Sequence, residues 1–380
     1  MQSYGRASVH EFLGDFVVFR NLIPLDERLP TLDDVREEVG VAAGETPRKS
    51  DPAYARVIVA LLDAARRLEA PEALLERLIY VGDTRMNDGT AFANIAAAGG
   101  WPGLAFIAAE KTEPSPPEIV QMQEGTTGTL FLADRWADLT RFEAFCEDRG
   151  FPIDEGTVII VDLDKTAMGA RGRNDHVINQ ARVEAVQRTV GDLLGEAFDE
   201  DAFRSAYDAL NQSEFHPFTG DNQDYLAYIC LILGSGLYHL DRLVDRVEGQ
   251  RLTSFGAFIA EVDDRRAELP PNLREIHDRI YRRVQAGDPT PFKAFRYSEF
   301  RATVERMGCL DDQASAEDLL SSEIVITQEV REAAHRWQAA GALLFGLSDK
   351  PDEASIPTCD LAAQGFLPIH RVETHAVGEA

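Results

Sequence analysis

The stretch Thr157 to Gly169, TVIIVDLDKTAMG, limits what this chain can become more than any other. Its opening residues, Thr157 to Val161, are β-branched, and the apolar run is too short for an ordinary helix. It reads as a strand buried on both faces. The run stops at Asp162, with Asp164 and Thr166 directly behind it. Carboxylates at the end of a buried strand are costly to desolvate unless a cation or hydrogen bonds compensate. In open α/β sheets, the carboxyl ends of the strands are also where ligands bind. Asp162 and Asp164 are therefore expected to share a mouth, close enough to hold a divalent cation and to do nucleophilic and acid–base work.

A chain of 380 residues can bury a large core and is expected to form two domains. Its net charge of −27 argues against binding to nucleic-acid phosphates or to anionic membrane surfaces. Cys146, Cys230, Cys309 and Cys359 are far apart and form no CxxC pair, which reads as reduced thiols of a cytoplasmic protein. The first residues lack a basic-then-apolar signal pattern. The most apolar stretch, Tyr225 to Tyr238, is too short to span a bilayer and reads as a buried helix.

Two further strands end in polar residues. Leu78 to Val81 runs into Gly82-Asp83-Thr84-Arg85-Met86-Asn87-Asp88, followed by a small-residue helix over 90–98 that stops at Gly99-Gly100. Ala342 to Leu347 runs into Ser348-Asp349-Lys350-Pro351. Phe16 to Phe19 and Leu104 to Ala108 read as strands, and 111–127, rich in Pro, Glu, Thr and Gly, as a loop. Helices are expected from Asp33 to Val39, from Pro52 onward behind a cap at Ser50 or Asp51, from Trp136 to Arg149 and from Gln328 to Ala340. Strands alternating with helices imply a parallel α/β sheet. Between about 177 and 340 the periodicity turns helical, with runs such as Val183 to Leu194, Tyr225 to Val247 and Leu273 to Val284.

Asp162-Leu-Asp164-Lys-Thr166 resembles motif I of the haloacid dehalogenase-like superfamily, mostly magnesium-dependent phosphatases. Gly82-Asp83 with Asn87 or Asp88 resembles its motif IV, and Ser348 at a strand end its motif II. The usual order in that family is motif I, cap, motif II, a motif III lysine, then motif IV. Here motif IV comes first, so the chain resembles a circularly permuted member cut between motifs II and III. The motif III lysine is then expected just before a helix ahead of motif IV, where Lys49 stands, with Lys350 as its competitor. The resemblance covers the α/β parts and leaves residues 1 to 30 and the helical region unmatched.

The resemblance implies a Rossmann-like parallel core over 1–169 and 336–380, with an inserted all-helical type 1 cap over 170–335. It implies a Mg2+-dependent phosphatase acting on a small phosphorylated metabolite through an aspartyl-phosphate. Asp162 would be the nucleophile and Asp164 the acid and base. Thr166, Ser348 and Lys49 would bind phosphate. The cation would be held by Asp162, Asp83, the backbone of Asp164, and Asp88 or Asn87. Arg171 and Arg173 are candidates for contact with an anionic substrate, and His216, Tyr238 and His239 for contacts from the cap. A scaffold or sensor that binds a phospho-ligand without turnover is the competing reading; a scaffold would need neither Asp162 nor Asp164. An α/β nucleotide-binding protein is disfavoured by the lack of a GxxxxGK[ST] or strand-linked GxGxxG. Substrate and oligomeric state are not legible.

Overall fold

The structure is a computed structural model describing residues 1–122 and 128–379. Its strands are β1 (Gln2–Ala7), β2 (Val17–Val18), β3 (Arg77–Gly82), β4 (Gly103–Ala108), β5 (Glu118–Gln121), β6 (Gly128–Ala133), β7 (Thr157–Asp162), β8 (Ile326–Thr327), β9 (Leu343–Leu347) and β10 (Thr374–Gly378). Seven of them form one sheet in the order β2-β9-β7-β3-β4-β6-β5. All its pairings are parallel except β5 with β6. This is a Rossmann-like α/β core. A smaller sheet, β1-β10-β8, joins the two ends of the chain, with β10 antiparallel to β1 and parallel to β8.

β7 is central. It pairs with β3 on one side, Ile160 opposite Tyr80, and with β9 on the other, Ile160 opposite Phe345. The β-branched run thus lies between β3, which leads into Asp83, and β9, which leads into Ser348. A period of two sends alternate side chains to opposite faces. Leu78, Tyr80, Val158, Ile160, Leu343 and Phe345 pack against Tyr54, Ile58 and Leu61 of the helix Pro52–Glu69 and Phe92 of the helix Asn87–Gly99. On the other side, Phe106 meets Phe142 of the helix Leu139–Asp148 at a ring separation of 5.7 Å.

Two compact units divide the chain: 1–180 with 303–356 and 360–380, and 181–302 with 357–359. The second unit contains the helices Glu200–Leu210, Gln223–Gly234, Leu240–Glu248, Phe255–Asp264 and Pro271–Gln285, and no strand among the described residues. Its core gathers Phe203, Tyr228, Phe258 and Phe295.

Several expectations are corrected. The boundaries drawn at 169 and 335 fall instead near 180 and 303, because β8 at Ile326–Thr327 pairs with β10 and ties that stretch to the sheet unit. The single helix expected from Tyr225 to Val247 is two helices, broken at 235–239, where Gly236 has a φ of +77° that a side chain would resist. The expected loop 111–127 contains β5, and its residues 123–127 lie outside the described residues. Among the described residues, no helix is long and apolar enough to cross a membrane.

Candidate functional site

Register brings the acidic strand ends together. Val81 pairs with Val161, and Asp162 with Leu347, so β3, β7 and β9 run out at one edge. One carboxylate oxygen from each of Asp83, Asp88 and Asp162 lies within 4.8 Å of the other two. All three residues are buried.

Asp88 stands in the first turn of the helix Asn87–Gly99 and reaches back over the loop that follows β3. Its Oδ2 accepts from the backbone N–H of Asp83 (3.0 Å) and from both the N–H and hydroxyl of Thr84 (2.8 and 3.0 Å). Its Oδ1 accepts from Lys49 Nζ (2.7 Å) and the Tyr80 hydroxyl (3.1 Å). Five donors saturate this carboxylate, so it sets the loop that carries Asp83. Gly82 is what lets it approach: a Cβ there would stand 2.6 Å from Asp88 Cγ. Asn87, the other candidate at this position, is exposed.

Lys49 is placed by a closed turn. The N–H of Arg48 donates to the Asp51 carboxylate (2.7 Å) and the N–H of Asp51 donates to Arg48 C=O (2.8 Å), while the helix Pro52–Glu69 starts behind them. A cation at a helix N-terminus is disfavoured by the helix dipole. Lys49 is held there by carboxylates, with Nζ donating to Asp162 Oδ1 at 2.6 Å as well as to Asp88. Burial opposes its charge, but the two aspartates keep its ammonium well above the ordinary lysine range.

Among the described residues, the cations hydrogen-bonded to the three aspartates are Lys49 and Arg171, whose Nε donates to Asp83 Oδ2. Burial, then Asp88, pushes the Asp83 carboxyl up to about 7 against the pull of Arg171. Burial raises Asp162 well above the ordinary carboxylate range, with Asp88 and Asp83 adding to it and Lys49 opposing. Asp88 goes the other way: burial would raise it, but Lys49 and its hydrogen bonds hold it below the usual range.

Behind Asp162 the chain folds tightly. The Asp162 carbonyl accepts from Ala167 N–H (3.1 Å), the Leu163 carbonyl from Met168 N–H (3.1 Å), and Lys165 takes a left-handed φ of 69°. Thr166 is fully buried, and its hydroxyl oxygen has no hydrogen-bond partner among the described residues. Asp164 Oδ1 lies 3.7 Å from the ammonium of the buried Lys350. Ser348, which follows β9, accepts from Lys350 N–H through its hydroxyl (3.1 Å). Both lysines that competed in the sequence therefore belong to this edge, Lys49 on Asp162 and Lys350 on Asp164.

Arg173 is not at the site. Its side chain is 3% exposed and pairs with Glu110 (2.8 Å) and Glu329 (2.9 Å), a buried ion cluster that fastens the loop after β4 to the helix Gln328–Ala339. Sequence reasoning treated both arginines of the loop alike, and only the fold separates them. Tyr54, which no sequence signal singles out, is 2% exposed; its hydroxyl has no hydrogen-bond partner among the described residues, and Lys49, Asp349 and Asp162 are among the charges around it.

No protein-family model, no curated protein and no solved structure matches the chain.

Proposed function

We propose that this chain is a magnesium-dependent phosphomonoester hydrolase acting on a small phosphorylated metabolite through an aspartyl-phosphate. The observation that carries the reading is Lys49 Nζ set between Asp162 and Asp88 at 2.6 and 2.7 Å, at the edge where β3, β7 and β9 end. Such a lysine fixes one oxygen of Asp162, Oδ1, and leaves Oδ2 to reach a phosphorus atom. In the proposed reaction Asp162 forms the bond to phosphorus and the substrate's alkoxide leaves. Asp164 donates a proton to that alkoxide, then takes one from the water that cleaves the acyl phosphate. Lys49, Lys350, Ser348 and Thr166 supply donors to the phosphoryl oxygens. The hydroxyl of Thr166, unpartnered among the described residues, is consistent with such a role.

The residues also fit a magnesium ion. Magnesium takes hard oxygen ligands, usually one or two carboxylates plus substrate and water. Asp88 is saturated by its five donors, which leaves Asp83 and Asp162 to hold the ion. Three carboxylates against two cations leave an excess of buried negative charge that a divalent ion would offset. When bound, magnesium would offset the charge on the phosphoryl oxygens.

This reading takes the helical unit, inserted in sequence after β7, as a substrate-selecting cap, and the motif order as circular permutation. The test is hydrolysis of a generic aryl phosphate with and without magnesium, in the wild type and in Asp162→Asn. The reading expects magnesium-dependent turnover that the substitution abolishes. Wild-type rates in Asp162→Asn would refute the mechanism.

A further inference from the structure

Arg171 sits on Asp83, one of the two carboxylates that remain for a cation. Among the described residues the contact is made through Nε alone, rather than through the two-pronged fork that makes arginine–carboxylate pairs strong. The Arg171 side chain is 36% exposed, whereas Asp83 is 8% exposed, so the arginine end of the pair borders solvent.

The backbone of Arg171 is firmly held. Its N–H donates to Lys165 C=O (2.8 Å), and its C=O accepts from Glu110 N–H (2.9 Å) and Trp136 Nε1 (3.2 Å). The first of these bonds ties it to the loop that follows β7, so a guanidinium leaving Asp83 stays tethered to the loop that begins after Asp162. A cation at Asp83 would repel it and take its acceptor, and a planar guanidinium matches the oxygens of a phosphate.

Building on the phosphatase reading, we propose that Arg171 is an exchangeable counter-ion: its guanidinium holds Asp83 until a divalent cation displaces it, and then binds the phosphoryl anion. One side chain thereby couples the two ligands. The cation competes with Arg171, while the anion gains a partner only after the cation has bound. This makes binding ordered, cation before anion.

The test measures two affinities in the intact chain, that for Mn2+ alone by electron paramagnetic resonance and that for inorganic phosphate at saturating magnesium by calorimetry. Arg171→Ala should bind Mn2+ roughly fivefold more tightly, the size of a half-exposed ion pair, and phosphate at least roughly fivefold more weakly. Arg171→Lys, which keeps the charge without the planar fork, should fall between the two for both ligands. A purely structural residue would not move the two affinities in opposite directions. Unchanged or weaker Mn2+ binding in Arg171→Ala, or unchanged phosphate binding, overturns the proposal while wild-type Mn2+ binding leaves the phosphatase reading standing. Absence of Mn2+ binding in the wild type and in Arg171→Ala alike overturns both.

Discussion

Two buried charge clusters, one in each unit, differ in how their charges are matched. In the helical unit, Asp224 and Glu299 face Arg296 and Arg182. Asp224 accepts from Phe292 N–H (3.0 Å) and Arg296 Nε (2.7 Å), and Glu299 from Arg296 Nη1 (2.6 Å) and Arg182 Nε (3.1 Å). In these bonds two carboxylates meet two guanidiniums, and every carboxylate oxygen has a donor. At the sheet edge, Asp83, Asp88 and Asp162 share Lys49 and Arg171. A balanced buried network holds the fold and asks for nothing more; an unbalanced one is expensive to keep and is found where a ligand completes it.

The largest effect should come from breaking the balanced cluster. Arg296→Met leaves Asp224 and Glu299 buried without their shared cation, at an expected cost of about 3–5 kcal/mol in denaturant unfolding. A loss below about 1 kcal/mol would mean that this network is not the anchor its geometry suggests.

Removing a charge from the other cluster should act in the opposite direction. Asp83 has its carboxyl raised to about 7, chiefly by burial. A carboxyl raised above its unfolded value near 4 adds stability at low pH that is lost as pH rises through its folded pKa. Without divalent cations, the Asp83 carboxyl should therefore withdraw about 2–4 kcal/mol of stability between pH 4 and pH 8, read as the difference between the slopes of the wild type and Asp83→Asn. Asp83→Asn should flatten that slope and be the more stable protein at pH 8. An Asp83→Asn variant that is less stable than the wild type at pH 8 would show that the edge cluster is structural, like the one in the helices.

The smallest effect is expected at Thr166. A buried hydroxyl without a partner contributes nothing to the fold, so Thr166→Val should change stability by no more than about 1 kcal/mol, toward stabilisation. Phosphate affinity should fall in the same variant. A stability loss with phosphate affinity intact would remove Thr166 from the site.

Much of the sheet edge was legible because its cause is local. Leu78–Val81, Val158–Val161 and Leu343–Leu347 are apolar runs that end abruptly in polar residues, and a buried parallel strand imposes that pattern on its own sequence. Lys49 was singled out by the resemblance, which asks for a lysine just before a helix, and the start of that helix is written locally in Asp51 and Pro52. What was hidden depends on distant partners. Arg171 and Arg173 look alike in the chain, and they differ only because one meets Asp83 and the other Glu110 and Glu329. The sheet of β1, β10 and β8 joins segments from opposite ends of the chain, and no local period announces such a pairing. β5 is short, largely exposed and preceded by Pro116 and Pro117, so it carries neither an apolar run nor a clean alternation. The saturation of Asp88 could not be read either, because Tyr80, Lys49 and the loop amides become its donors only after folding.

The central claim is that the unbalanced cluster transfers a phosphoryl group through Asp162. It is tested most directly by acid-quenching the wild-type protein during turnover of a phosphomonoester with magnesium and mapping phosphorylation by peptide mass spectrometry. The account predicts an acid-stable, hydroxylamine-labile phosphoryl group on Asp162 that is absent from Asp162→Asn. Turnover with the phosphoryl group on any other residue would contradict it.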